Sequence, residues 1–111
     1  MPIIDFDAMP KMAITEKHSD AFGELLTGST IEIGRLHFKA GQKANPHTHE
    51  QEQVVLVIDG RVEVFFDGET REVGPGGGFH APSWVAHGVT AITDCVMLSC
   101  KNVIDGVGHE L

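Results

Sequence analysis

His47-Thr48-His49 and, a few residues on, Gln53 bring two imidazoles and a carboxamide onto one short segment, and a third imidazole, His87, follows a proline-led turn further along the chain. If Gly41 to Gln53 is extended, His47, His49 and Gln53 share parity and project to one face, because successive strand side chains alternate sides. Imidazole suits zinc, iron, nickel, copper and manganese, and a glutamine side-chain oxygen adds a neutral hard donor. Three such side chains can begin a metal site. Taken alone, a His-x-His pair in an exposed loop reads as two solvated histidines. The second segment changes that weighing: Gly76-Gly77-Gly78-Phe79-His80-Ala81-Pro82-Ser83-Trp84-Val85-Ala86-His87 returns a histidine on a strand just after Pro82.

Together the two segments carry a known pattern. Gly41, five residues, His47-x-His49, three residues, Gln53, six residues and Gly60 resemble the first motif of the cupin superfamily, with glutamine in the usual glutamate place. Gly76, Pro82 and His87 match the second motif, while Trp84 stands at its usual glycine and Ala91 at its usual asparagine. Fifteen residues, Arg61 to Pro75, separate them, as in small bacterial cupins. The resemblance implies an all-β double-stranded β-helix, a jelly-roll-like barrel holding one divalent transition metal (zinc, manganese, nickel or iron) inside, near one mouth. His47, His49 and His87 carry over as ligands, and Gln53 carries over by position. A homodimer is implied as well. Glu52 competes for the fourth place, but along a regular strand it points away from the face of His49, unless a bulge reverses the parity.

Some small cupins, including those that ketonise unsaturated uronates and certain polyketide cyclases, use three histidines and one glutamine. That likeness implies isomerase or tautomerase chemistry, with the ion as Lewis acid, on a small oxygen-rich sugar- or keto-acid-like substrate. An iron- or nickel-dependent dioxygenase is the alternative enzyme, and a non-catalytic ligand-binding or sensing cupin is the reading from another class. Uronate-ketonising cupins carry an Asp-x-Phe pair and a following Arg on the last strand. This chain reads Met97-Leu98-Ser99-Cys100-Lys101-Asn102 there, which leaves the proton-transfer residue unidentified.

Other polar residues weigh less. His37 and His80 lie on expected strands and read as structural histidines rather than cavity residues; His18 and His109 read as surface. Trp84 is either a wall at the barrel mouth or a packed aromatic. Ser99 and Lys101 share parity with Cys95 and Met97, yet Lys101 is expected to end its strand in water.

Positioning such a site takes many short strands. Ile31 to Phe38 is apolar at Ile31 and Ile33 and then at Leu36 and Phe38, a phase slip that predicts a bulge at Gly34. Val54-Val55-Leu56-Val57-Ile58 reads as a strand covered on both faces. Asp59-Gly60 and Asp67-Gly68 read as hairpin turns, which makes a meander through Val62, Val64, Phe66 and Glu69 to Val73. Further strands are expected at Phe79 to Ala81, His87 to Ile92 and Cys95 to Cys100. Thr15 to Leu26 is ambiguous: Ser19 or Asp20 can cap a short helix, but strand is favoured for Glu24 to Thr27.

Composition bounds the rest. The 111 residues suit one domain spanning 1–111, and 41% hydrophobic residues can bury a core. Sixteen acidic residues against eight Lys plus Arg, a formal charge of −8, argue against nucleic acid and anionic membranes as partners and leave a small molecule. No leader-like segment or long apolar run is present, and Cys95 and Cys100 suit reduced thiols, so the cytoplasm is the expected address.

Overall fold

The computed structural model describes residues 2–110. After a single 3-10 turn at Phe6–Ala8, ten strands follow: β1 Met12–Ala13, β2 Phe22–Thr27, β3 Ile31–Phe38, β4 Lys43–His47, β5 Gln53–Asp59, β6 Val62–Phe66, β7 Glu69–Val73, β8 Gly78–Ala81, β9 His87–Ala91 and β10 Cys95–Asn102. They form a six-stranded sheet, β1-β2-β3-β10-β5-β8, and a four-stranded sheet, β4-β9-β6-β7. Every pairing is antiparallel. The two sheets face each other as a jelly roll, the all-β double-stranded β-helix the sequence implies.

Between them lies a core of Leu36 and Phe38 from β3, Val55 and Val57 from β5, Val62 and Val64 from β6, Ala91 from β9, and Cys95 and Met97 from β10, closed by Ile14 and Ala21. Alternation along β5 and β10 selects these residues, since one face of each strand looks inward. On β10 the inward set is Cys95, Met97, Ser99 and Lys101. The core stripe of that strand therefore runs from hydrocarbon into polar groups toward one end of the barrel.

Four expectations are corrected. Gly34 carries no bulge: β3 pairs in unbroken register with β2 and β10, and its inward residues are Glu32, Gly34, Leu36 and Phe38. A carboxylate, not Ile31 or Ile33, faces inward. Gly34 fits because a Cβ there would come within 2.9 Å of the Leu25 side chain. Second, β5 is covered on one face only, with Val54, Leu56 and Ile58 exposed at 51%, 42% and 48%. Third, Asp59-Gly60 is not a hairpin turn, because β5 and β6 belong to different sheets. Gly60 carries the crossing with φ of 81°, and a Cβ there would meet the Asp94 carbonyl oxygen at 2.2 Å. Asp67-Gly68 does turn β6 into β7. Fourth, Lys101 is buried. In the ambiguous stretch Thr15 to Leu26 the strand is β2, Phe22–Thr27, two residues longer than expected, after turns at 15–18, and no α-helix occurs among the described residues.

Candidate metal centre

His47 is the last residue of β4 and Gln53 the first of β5, and His87 opens β9 directly opposite His47 in the β4–β9 pairing. His49 sits in the loop between β4 and β5. One extended segment does not bring His47, His49 and Gln53 together, as parity suggested. The chain leaves one sheet at His47 and enters the other at Gln53, and the loop folds His49 inward between them. At the entry to β5 the alternation still decides between neighbours: Gln53 is buried, whereas Glu52, just before the strand, is exposed and bonded to His80 at 2.5 Å on the outside.

Ligand nitrogens of His47, His49 and His87 all lie within 4.8 Å of one another. Each ring is oriented by a backbone carbonyl at Nδ1: Asn45 at 2.6 Å for His47, Gln51 at 2.8 Å for His49, and Val85 at 2.9 Å for His87. A carbonyl only accepts, so each Nδ1 carries the proton and each Nε2 presents a lone pair. His49 Nε2 and His87 Nε2 are 3.1 Å apart, and Gln53 Oε1 is 2.9 Å from His87 Nε2. Burial is the largest cause pushing all three imidazoles below their ordinary value, His49 to about 4, with the Lys101 charge acting in the same direction on each. Neutral imidazoles with converging lone pairs repel one another unless a cation lies among them. The donor set therefore fits a divalent ion.

A buried chain fixes which way Gln53 faces. Glu32 Oε1 accepts from His109 Nδ1 at 2.5 Å, so His109 Nε2 is an acceptor and takes the Ser99 hydroxyl at 2.8 Å. Ser99 Oγ in turn accepts from Gln53 Nε2 at 2.8 Å. With its amide nitrogen committed there, Gln53 must turn its oxygen toward the imidazoles. Burial pushes the Glu32 carboxyl up, but hydrogen bonds from the His109 ring, the Thr27 hydroxyl and the His109 backbone outweigh it and hold the group at about 2. His109 itself is pushed down by burial, with Glu32 opposing. Thr15 Oγ1 donates to the His109 carbonyl and anchors the residue.

The sequence suggests solvent-facing positions for Lys101 and His109, whereas the structure buries both, at 4% and 2% exposure. The β10 parity that placed Ser99 and Lys101 with Met97 was the available signal for Lys101, since that face continues inward to the strand's end. No pattern marked His109 or Glu32, which reach the site from the carboxyl-terminal segment and from the start of β3, where the flanking Ile31 and Ile33 lie on the other face. His18 is half-buried and stacks on His47, with centroids 5.0 Å apart. His37 stands 3.5 Å from buried Glu24, and neither it nor His80 lines the site's cavity. Trp84 is 63% exposed, so it is not a packed aromatic.

The cavity beside these donors has a volume of about 50 Å³. Its lining includes His47, Gln53, His87, Lys101 and His109 beside hydrocarbon from Leu36, Phe38, Val55, Phe79, Val89 and Met97. Burial pushes the Lys101 ammonium down to about 8, opposed by the Glu32 charge.

Comparison with known proteins agrees with this architecture. No match is found among curated proteins. KdgF from Halomonas sp. superposes with a TM-score of 0.70 at 28% identity, covering 74% of this chain and 78% of its own. An RmlC-like cupin from Shewanella frigidimarina superposes with a TM-score of 0.80 at 19% identity over 92% of this chain and 90% of its own, a likeness of fold. A salicylate 1,2-dioxygenase variant from Pseudoaminobacter salicylatoxidans gives 0.63 at 25% identity over 66% of this chain but only 21% of its own. The family model for the cupin domain matches residues 34–100, over half of the sequence, from within β3 through most of β10. The chain belongs to the cupin family.

Proposed function

We propose that this cupin is a metal-dependent enzyme that isomerises or tautomerises a small oxo or hydroxy acid, with one divalent ion held by His47, His49, Gln53 and His87. The observation that carries this reading is the convergence of three Nε2 lone pairs and the Gln53 oxygen, with every competing proton committed to a backbone carbonyl or to Ser99. A divalent ion supplies Lewis-acid polarisation of a carbonyl or enol oxygen. The protein's own contribution is to keep the imidazoles neutral by burial, to hold the Gln53 oxygen forward through Ser99, and to wall the site with hydrocarbon. Such walls suit a compact acid better than a polyol, which narrows the sugar-like substrate the sequence suggested.

Dioxygenase chemistry on an aromatic or short carboxylic acid is the second reading, supported by the likeness to salicylate 1,2-dioxygenase and by the apolar walls. Two free thiols, Cys95 and Cys100, suit a reducing compartment, and no helix is long and apolar enough to cross a membrane.

Elemental analysis of the purified protein tests the centre: about one zinc, manganese, nickel or iron per chain is expected, and its loss in the His87→Ala variant. Turnover of 2-oxo acids and catechols, followed with an oxygen electrode, then separates the readings. Isomerisation consumes no oxygen, dioxygenation consumes it stoichiometrically, and binding without turnover leaves the non-catalytic alternative.

A further inference from the structure

Lys101 is the least explained group near the site. It occupies the inward face of β10 two residues beyond Ser99, paired across the sheet with Gln53 on β5 and Glu32 on β3. Its side chain is 4% exposed and lines the cavity. Yet no side-chain hydrogen bond or ion pair of its ammonium occurs among the described residues. A buried charge is costly unless something compensates it, because removal from water is repaid only by a partner. The one carboxylate acting on it, Glu32, is already held by His109 and Thr27, and none of the cavity-lining residues is acidic.

The four candidate metal donors increase the imbalance. Three neutral imidazoles and a neutral carboxamide leave a dication's charge untouched, and Lys101 adds a further positive charge in the same enclosed space. An anion must supply what the protein does not. We propose that Lys101 is the anchor for the carboxylate of a two- or three-carbon 2-oxo or 2-hydroxy acid whose neighbouring oxygen faces His47, Gln53 and His87. The inference rests on the metal centre proposed above.

Size and chemistry support that class. A cavity of about 50 Å³ has room for roughly three or four waters, which admits a short acid. A carboxylate matches the Lys101 ammonium in charge, a 2-oxygen matches the donors, and a methyl or methylene matches hydrocarbon lining such as Val55, Phe79 and Met97. Charge-assisted hydrogen bonding of this kind is the strong sort, and specificity follows because a neutral analogue leaves Lys101 buried without a partner.

Calorimetric titration of the zinc-loaded protein with pyruvate, lactate and the neutral analogue pyruvamide tests the proposal, with Lys101→Met and Lys101→Arg beside the wild type. Pyruvate or lactate is expected to bind wild type at least about tenfold more tightly than pyruvamide. Lys101→Met should lose that preference while keeping its zinc, and Lys101→Arg should recover part of it. Because Lys101→Met changes a core position, thermal melts of metal-stripped wild type give a second measure: pyruvate should raise the melting temperature and pyruvamide should not. Equal affinity for pyruvate and pyruvamide, an unchanged preference in Lys101→Met, or no binding of either acid at millimolar concentration would overturn the proposal. Failure to take up zinc would sink the metal centre instead, and the stripped-protein melts would still decide the role of Lys101.

Discussion

Gln53 is the residue at which the site departs from its family's usual glutamate, and the hydrogen-bond chain behind it explains how glutamine is kept there. Ser99 accepts from the Gln53 amide because its own proton is given to His109, and His109 accepts that proton because Glu32 holds Nδ1–H. A glutamate at 53 has no proton to give Ser99. The Ser99 hydroxyl must then turn to the new carboxylate, and His109 Nε2 is left without a donor unless it takes up a proton. Gln53→Glu is therefore expected to bind zinc at least as tightly as wild type, through the added charge, to show lower Lewis acidity and turnover, and to raise the pKa of His109, visible in its ring NMR shifts. Ser99→Ala removes the group that orients the amide and should weaken zinc binding by roughly 10-fold to 100-fold, the range typical of outer-shell changes. Gln53→Ala should weaken it further and His87→Ala most, since an imidazole donor is then lost. Glu52→Ala, which removes only the outward contact to His80, should leave affinity unchanged. Loss of binding in that variant with retention in Gln53→Ala would make Glu52 the fourth ligand.

Strands and turns position these residues, and glycine marks where the backbone must do something a side chain resists. Gly41, Gly60 and Gly76 of the family pattern all adopt positive φ, and Trp84, at another of its glycine places, does so too with φ of 66°. The spacing of the motifs is thus a record of left-handed turns. Gly60 and Gly68 separate two costs. Both have φ near 80°, but a Cβ at Gly68 meets nothing within 4 Å, whereas one at Gly60 strikes the Asp94 carbonyl at the sheet crossing. Gly68→Ala is expected to lower stability by about 1 kcal/mol, the left-handed penalty alone. Gly60→Ala should lose on the order of 2–4 kcal/mol through the added overlap, and urea denaturation of the pair measures the difference. These elements also show what was legible in the sequence. Motif spacing gives the jelly roll and alternation the strands β5 to β10 and the inward side of Gln53, because a local two-residue period reports directly on facing; His49 turns inward through a loop between the sheets that no period places. Pairing partners were less visible: Asp59-Gly60 resembles a hairpin turn locally, and only the sheet assignment shows that it crosses between layers. Glu32 was hidden by its neighbours, since Ile31 and Ile33 suggest the opposite inward face. His109 lies beyond the last strand, where no period exists to place it.

At the scale of the whole molecule, charge and exposed apolar surface govern behaviour in solution. Val54, Leu56 and Ile58 form a continuous stripe on the outer face of β5 in the larger sheet, and we propose that a second copy covers it in a homodimer. Light scattering at micromolar concentration should give twice the chain mass for wild type and the single mass for Leu56→Glu, and a wild-type monomer would count against the stripe as an interface. Acid should unfold the protein in two windows. His47, His49 and His87 have folded pKa values below the ordinary 6.5, with His49 at about 4, so the unfolded chain binds more protons across that interval. Their contribution is complete above about pH 6.5 and declines as pH falls toward 4. Glu32 has the same sign lower down: its contribution is complete above its ordinary 4.5 and is lost as pH falls toward about 2. Lys101, held at about 8 against an ordinary 10.5, makes stability rise between those values as the buried ammonium loses its charge, while the raised Cys95 thiol acts in the opposite direction above 9. Zinc separates the acid windows, because it competes with protons for the imidazoles and has no claim on Glu32. Melting temperatures measured from pH 3 to pH 8 should therefore show the upper window shifted to lower pH by zinc and restored by a chelator. The same shift in the His87→Ala variant would mean that the proton-sensitive histidines and the metal site are different groups.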